Sequence, residues 1–174
     1  MPIDKENFFV KSQIEISIHH IEKLLHTGVF SAPILSDFQE PVFLSIVIKL
    51  DDLLQKLSQL GERVDFNDDI ASGDVTDLAN KIRNAMNHPT SGEHILDKQA
   101  QVKATFCVAM GKGTMMEING KKIGSDYDDD VAIFFGEHRM YLKRHLVRAL
   151  NEAKQKHQNL YSTPDPHVSN SAPK

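Results

Sequence analysis

The sequence predicts a mainly α, α+β fold: a helical bundle of about four helices with a small antiparallel β-sheet inserted before the last helix. Apolar residues recur at helical spacing in four stretches. Between residues 101 and 136 the period drops to two, and Asn119-Gly120 marks a two-residue hairpin. The chain has 174 residues, which fits one domain of about 100–200 residues.

Asp4 is positioned to cap a first helix bearing Phe8, Ile14, Ile18, Ile21, Leu24 and Leu25, with Gly28 ending it before the loop at Ser31-Ala32-Pro33. A second helix is expected to begin near Pro41, a favourable first-turn residue, and to stop at Gly61. Phe43, Leu44, Val47, Ile48, Leu50, Leu53, Leu54, Leu57 and Leu60 make it the most apolar helix, so it belongs at the centre of the bundle. Residues 62–74 are acidic and turn-rich. Asp74 or Thr76 then caps a third, short helix carrying Val75, Leu78, Ile82, Ala85 and Met86, which Pro89 closes.

A strand is expected over residues 101–110, a turn at Gly111-Lys112-Gly113, a returning strand over 114–118 and a short apolar strand over 131–135 ending at Gly136. The last helix is read from residue 140 to 158, with Leu142, Leu146, Val147, Leu150 and Ala153 on its apolar face. These elements define a single domain over residues 1–160, with the sheet of residues 101–136 as an elaboration. Residues 161–174 have few apolar groups and are expected to be a disordered tail.

Hydrophobic (40%) and charged (25%) contents are those of an ordinary globular protein. A net charge of −4 means that any nucleic-acid site must be a local patch on an acidic body. Cys107 is the only cysteine, which excludes an internal disulfide and fits a reducing compartment; its strand-like flanks point to a small buried apolar residue. Apolar runs fall well short of the roughly 18 residues of a membrane span. Residues 1–6 lack the features of a signal peptide. A cytoplasmic location and no membrane partner are expected.

No metal or cofactor is expected either. His19 and His20 are adjacent and point in different directions on a helix. The acidic turn of residues 126–130 has Val131 where a calcium loop needs glycine, so its acids are read as a solvated turn or as counter-charges to the basic last helix. Gly111-Lys112-Gly113 is too short for a phosphate loop.

The chemically informative stretch is Arg83-Asn84-Ala85-Met86-Asn87-His88. An arginine, a polar residue directly after it and a histidine a few positions on resemble the motif of the HEPN superfamily, here in a diverged branch. The helical setting agrees: two longer helices precede the short one that carries the motif near its end, and another follows. Residues five apart lie about 140° around an ideal helix, so Arg83 and His88 would not share a face. His88 precedes Pro89, however, and a pre-proline residue is driven out of the α region. The helix should therefore end near Asn87, leaving His88 free to turn back toward Arg83.

The resemblance implies a HEPN-like, metal-independent endoribonuclease of toxin–antitoxin or antiviral defence type. Its catalytic residues would be Arg83, Asn84 and His88: the histidine moves protons, the arginine stabilises charge on the phosphorus oxygens, and the asparagine orients phosphate or histidine. One histidine cannot act as base and acid in the same step, and the family's solution is a homodimer with two motifs in one cleft. RNA substrate, a second copy and an antitoxin or other protein are the implied partners. Thr90 stands where nucleotidyltransferase-controlled relatives carry a tyrosine, so control by modification at that position is not expected.

Lys143, Arg144 and Arg148 on the last helix form a candidate substrate-binding stripe, with Arg144 and Arg148 one turn apart. It gains that meaning if it borders Arg83 and His88, and is otherwise a solvated basic face. Alternatively, Arg83 pairs with Asp51, Asp74 or Asp77 and His88 satisfies helix-end carbonyls. The chain is then a non-catalytic HEPN-like protein- or nucleotide-binding module, or a helical adaptor.

Overall fold

The computed structural model describes residues 7–31, 36–87, 95–97, 102–103 and 106–162. Four α-helices and a small set of antiparallel strands give a mainly α, α+β fold. Asn7 caps α1 (Phe8–His26), its side-chain oxygen accepting the Phe9 N–H at 2.9 Å; Asp4 lies outside the described residues. The chain leaves α1 through Thr27 and Gly28 into a 3₁₀ turn (Val29–Ser31). Ala32 and Pro33 also lie outside the described residues.

Helix α2 (Ser36–Gln59) starts earlier than the sequence indicates, and Pro41 sits inside it. Proline is tolerated there because the hydrogen bond it forgoes would reach back only to the first turn. That first turn is anchored instead by the buried Gln39, whose Nε2 donates to the Val29 carbonyl at 3.1 Å. Phe43, Ile46, Val47, Leu50, Leu53, Leu54 and Leu57 are fully buried, and α2 packs against α1, α3 and α4 as the central helix. Gly61 ends it at φ 86°, with Glu62 N–H donating to the Leu57 carbonyl (2.8 Å) and Gly61 N–H to that of Ser58 (3.1 Å). This closure needs the left-handed conformation that glycine adopts without penalty.

Asp74 caps α3 (Val75–Asn87) by accepting the Asp77 N–H at 2.9 Å, while Asp77 accepts the Asp74 N–H at 3.3 Å. Arg63 clamps both acids, at 2.7–2.9 Å from Asp74 and 2.7 Å from Asp77. The other expected cap, Thr76, is buried and donates to the Val64 carbonyl. Pro89 lies outside the described residues.

Among the described residues seven strands follow. β1 (Ile95–Asp97) pairs with β2 (Val102–Lys103). β3 (Phe106–Met110) pairs with β6 (Val131–Phe135), β6 also pairs with β7 (His138–Tyr141), and β4 (Gly113–Ile118) pairs with β5 (Lys121–Ser125). The β4–β5 turn places Asn119 and Gly120 at φ 50° and 80°, the primed hairpin that their sequence announces.

Two expectations need correction. Gly111-Lys112-Gly113 does not fold β4 back on β3; the β3 ladder goes to β6, and the Gly111 N–H continues it to the Asp130 carbonyl. The last helix does not begin at Met140, because Met140 and Tyr141 belong to β7. Both differences follow from β6. Residues 132–135 are buried on both faces of the strand, so its backbone groups need partners on two edges. β3 and β7 supply them.

Tyr141 leads directly into a π-helical segment (Leu142–Val147), and α4 (Arg148–Tyr161) is the last helix among the described residues. Residues 163–174, the bulk of the expected tail, lie outside the described residues. Ile133, Phe135 and Met140 belong to the same core cluster as the buried residues of all four helices, and the Phe106 ring lies 5.8 Å from that of Phe43. Ala132, Phe134 and Tyr141 form a smaller cluster against Ile123, Tyr127 and a half-buried Cys107.

Candidate functional site

Helix α3 presents Asn80, Arg83, Asn84 and Asn87 at i, i+3, i+4 and i+7, one polar face opposite its buried Leu78, Ile82 and Ala85. This face meets Asp51 of α2. Asp51 is 5% exposed, in register with Val47 and Leu54 on a helix that is otherwise apolar on this side. Burial of a carboxylate requires compensating donors. Asn80 Nδ2 donates at 3.2 and 3.4 Å to its two oxygens, and Gln55 Nε2 donates at 3.4 Å.

Arg83 completes a ring of side chains. Its Nε lies 3.8 Å from Asp51 Oδ2, its Nη1 donates to Asn84 Oδ1 at 3.0 Å, and Asn84 Nδ2 donates to Asn80 Oδ1 at 3.0 Å. The guanidinium is thus oriented on one side while the side chain stays 42% exposed. One of its five N–H groups is spent on Asn84, Asp51 stands at ion-pair distance, and among the described residues the other donors make no hydrogen bond and can meet an anion. Of the alternative acids for Arg83, Asp74 and Asp77 are taken up by Arg63, and Asp51 is the neighbour. Asn84 positions the arginine. His88, the third residue of the candidate catalytic set, lies outside the described residues, as does Thr90. α3 is described as far as Asn87, so the helix end that the pre-proline argument places there lies at the edge of the described residues.

Lys143, Arg144 and Arg148 stand elsewhere, around the 62–74 loop and the 126–130 turn. Arg144 donates to Asp129 (2.9 Å) and Asp130 (3.0 Å) and stacks on Tyr127, with 3.7 Å from its guanidinium carbon to the ring centre. Arg148 binds Asp68 (2.6 Å) and Glu152 (2.8 Å) and stacks on Phe66 at 3.9 Å. The Lys143 ammonium donates to the Asp129 carbonyl. Among the described residues this set shares no partner with Arg83. Its positive charge is met by carboxylates, the counter-charge role anticipated for the acidic turn.

Asp130 holds this region together. Its buried carboxylate accepts the N–H groups of Val131 (2.8 Å), Lys143 (2.9 Å) and Arg144 (3.1 Å), capping the π-helical segment from across the sheet. His145 is fully buried beside it. Its Nδ1 accepts the Tyr141 N–H at 3.1 Å, so Nε2 carries the proton and donates to the Asp68 carbonyl at 2.8 Å. Burial holds this imidazole below the usual histidine range. The hydrogen bond from Arg148 lowers the Asp68 carboxyl, and the bond to Asp69 raises the Tyr127 hydroxyl.

Sequence reasoning missed Asn80 and Gln55 as members of the Arg83 site. The available signal was Asp51 itself, an acid at a core position of an apolar helix, and two asparagines one turn apart facing it. Among the described residues no group of three or more histidine, cysteine or acidic side chains could hold a metal ion, and no helix is long and apolar enough to cross a membrane. No family model matches the chain, and neither a curated protein nor a solved structure matches it.

Proposed function

We propose that this protein is a HEPN-like, metal-independent endoribonuclease of toxin–antitoxin or antiviral defence type, cytoplasmic and acting as a homodimer. The observation that carries this reading is the state of Arg83. It is held by Asp51 and Asn84 with outward donors, in the last turns of a helix that leads into His88. One His88 would take the proton of a ribose 2′-hydroxyl as its oxygen attacks the adjacent phosphorus. The second copy's histidine would protonate the departing 5′-oxygen, and Arg83 would stabilise the charge on the phosphorus oxygens. The products are a 2′,3′-cyclic phosphate and a 5′-hydroxyl.

The test is RNA cleavage in EDTA with analysis of the ends. Cyclic phosphate ends, lost in both Arg83→Ala and His88→Ala while the variants stay folded, support the proposal. Normal cleavage by both variants removes the site. The neutralised state of Arg144 and Arg148, which leaves that stripe without free charge for a strand, favours a second reading, a HEPN-like module that binds a protein or nucleotide without cutting. Absence of cleavage on any RNA by the purified homodimer would favour it.

A further inference from the structure

Among the described residues a cleft lies on the other flank of α3 from Arg83. Its volume is about 230 Å³, and it lies where α3 and residues 69–72 face β5 and the β6–β7 turn. Ile70, Leu78, Ile123 and Phe134 give it apolar walls, and three cations from three separate elements converge on it: Lys81 of α3, Lys122 of β5 and Arg139 of β7. On a protein of net charge −4 this is a local concentration of positive charge, able to attract an anion.

The cations are positioned but not used up. Arg139 binds the Gly124 carbonyl (2.9 Å) and Asp126 (2.7 Å) through Nη1 alone and lies over the Tyr141 ring, which fixes the plane of the fork while Nη2 and Nε stay uncommitted among the described residues. The Lys81 ammonium donates to Ser72 Oγ (2.6 Å) and the Ser72 carbonyl (3.1 Å), two of its three N–H groups. Lys122 is exposed on the opposite wall. Two acids also line the cleft. Asp69 is engaged by the Tyr127 hydroxyl, whereas Glu137 offers an acceptor for N–H or O–H groups.

We propose that this cleft binds a phosphorylated nucleoside, one nucleotide unit in size. The apolar walls take a flat base, Glu137 accepts from its amine or from the ribose hydroxyls, and Lys81, Lys122 and Arg139 meet the phosphate. Three cations suit a dianion better than a single carboxylate. The chemistry is shared by a free mononucleotide and by the phosphorylated end of an RNA strand. This inference does not depend on the nuclease reading, because Arg83 contributes nothing to the cleft.

The experiment is calorimetric titration of the full chain with AMP and UMP, with adenosine and inorganic phosphate as comparators, and with methyl NMR of Ile70 and Ile123 to locate binding. Saturable mononucleotide binding that shifts both methyls is expected, with each comparator at least about tenfold weaker. Lys122→Gln, an exposed substitution that leaves the fold intact, and Lys81→Gln should each weaken it roughly tenfold, as for a lost charge-assisted hydrogen bond. Arg83→Ala should leave it in place. A 3′-phosphorylated trinucleotide binding more tightly than AMP assigns the cleft to a strand end; equal or weaker binding assigns it to the free nucleotide. No binding at millimolar nucleotide, binding untouched by both lysine changes, or binding lost with Arg83→Ala overturns the proposal.

Discussion

Asp51 Oδ2 and Arg83 Nε face each other at 3.8 Å across the α2–α3 interface, an acid almost sealed from solvent against a base that remains 42% exposed. The asymmetry separates their roles. Asp51 is part of the packing between two helices, and Arg83 is the end of the network that reaches outward.

Truncating the acid should therefore cost more stability than truncating the base. Asp51→Ala strands the Asn80 amide in a buried interface and should lose about 1–3 kcal/mol. Arg83→Ala removes a long, half-exposed ion pair and should lose less than about 1 kcal/mol. Urea denaturation of the two variants measures the order, and the reverse order would remove Asp51 from the interface role. In the nuclease assay both changes should reduce cleavage, Asp51→Ala through loss of the arginine's orientation.

A larger loss is expected at Asp130, whose carboxylate satisfies three backbone N–H groups and Arg144 at once. Asp130→Ala leaves those three N–H groups without their acceptor and Arg144 with Asp129 as its remaining carboxylate, at roughly 3–5 kcal/mol. In a chain of this size that is a fall in melting temperature of about 10 °C. Asp130→Asn, which keeps one acceptor oxygen, should fall between the two. A melting temperature unchanged in Asp130→Ala would contradict the capping role.

Acid should weaken the fold through His145. Its native pKa is depressed by burial, so the unfolded chain binds the proton first, near the ordinary value of about 6.5. The stabilisation is complete above that value and declines as pH falls toward the native pKa, by up to about 1.4 kcal/mol per pH unit. Protonation must also break the Tyr141 N–H bond to Nδ1. His157, likewise pushed down by burial, adds to the same window. Urea midpoints measured from about pH 7.5 down to about pH 5 should fall for the wild type. The fall should be shallower in His145→Gln, and equal slopes would exclude His145 as its source.

Gly124 is the position where the hairpin tolerates no side chain: a Cβ there would stand 2.1 Å from the Gly113 carbonyl oxygen and 2.8 Å from Thr114 Cα. Both neighbours are backbone of the paired strand, so Gly124→Ala must open the β4–β5 ladder. A loss of about 1–3 kcal/mol is expected, with amide exchange accelerated over residues 113–125. Protection equal to wild type across the hairpin would refute the clash.

Much of this architecture is written locally in the chain. Gly28, Gly61 and Asp74 bound helices through backbone chemistry that acts within a few residues, and Asn119-Gly120 specifies its turn the same way. What the sequence hides is pairing at a distance. The choice of β6 over β4 as the partner of β3 depends on which strand is buried on both faces. Met140-Tyr141 matches a strand and a helix equally over so short a segment. The site divides along the same line. Arg83 and Asn84 stand out as a motif, but which of three acids reaches the guanidinium depends on Arg63, twenty residues upstream, having claimed Asp74 and Asp77.

Strand β6 gives the inserted sheet a standing that its late position in the chain conceals. Ile133 and Phe135 fill space between helices rather than covering the outside of a finished bundle. Excising residues 101–136 to recover a simpler four-helix protein would open a void the size of two large side chains. Sheet and helices should therefore melt together in one cooperative transition, and any change in the sheet that loosens β6 would be felt at the helix interface where Asp51 holds Arg83.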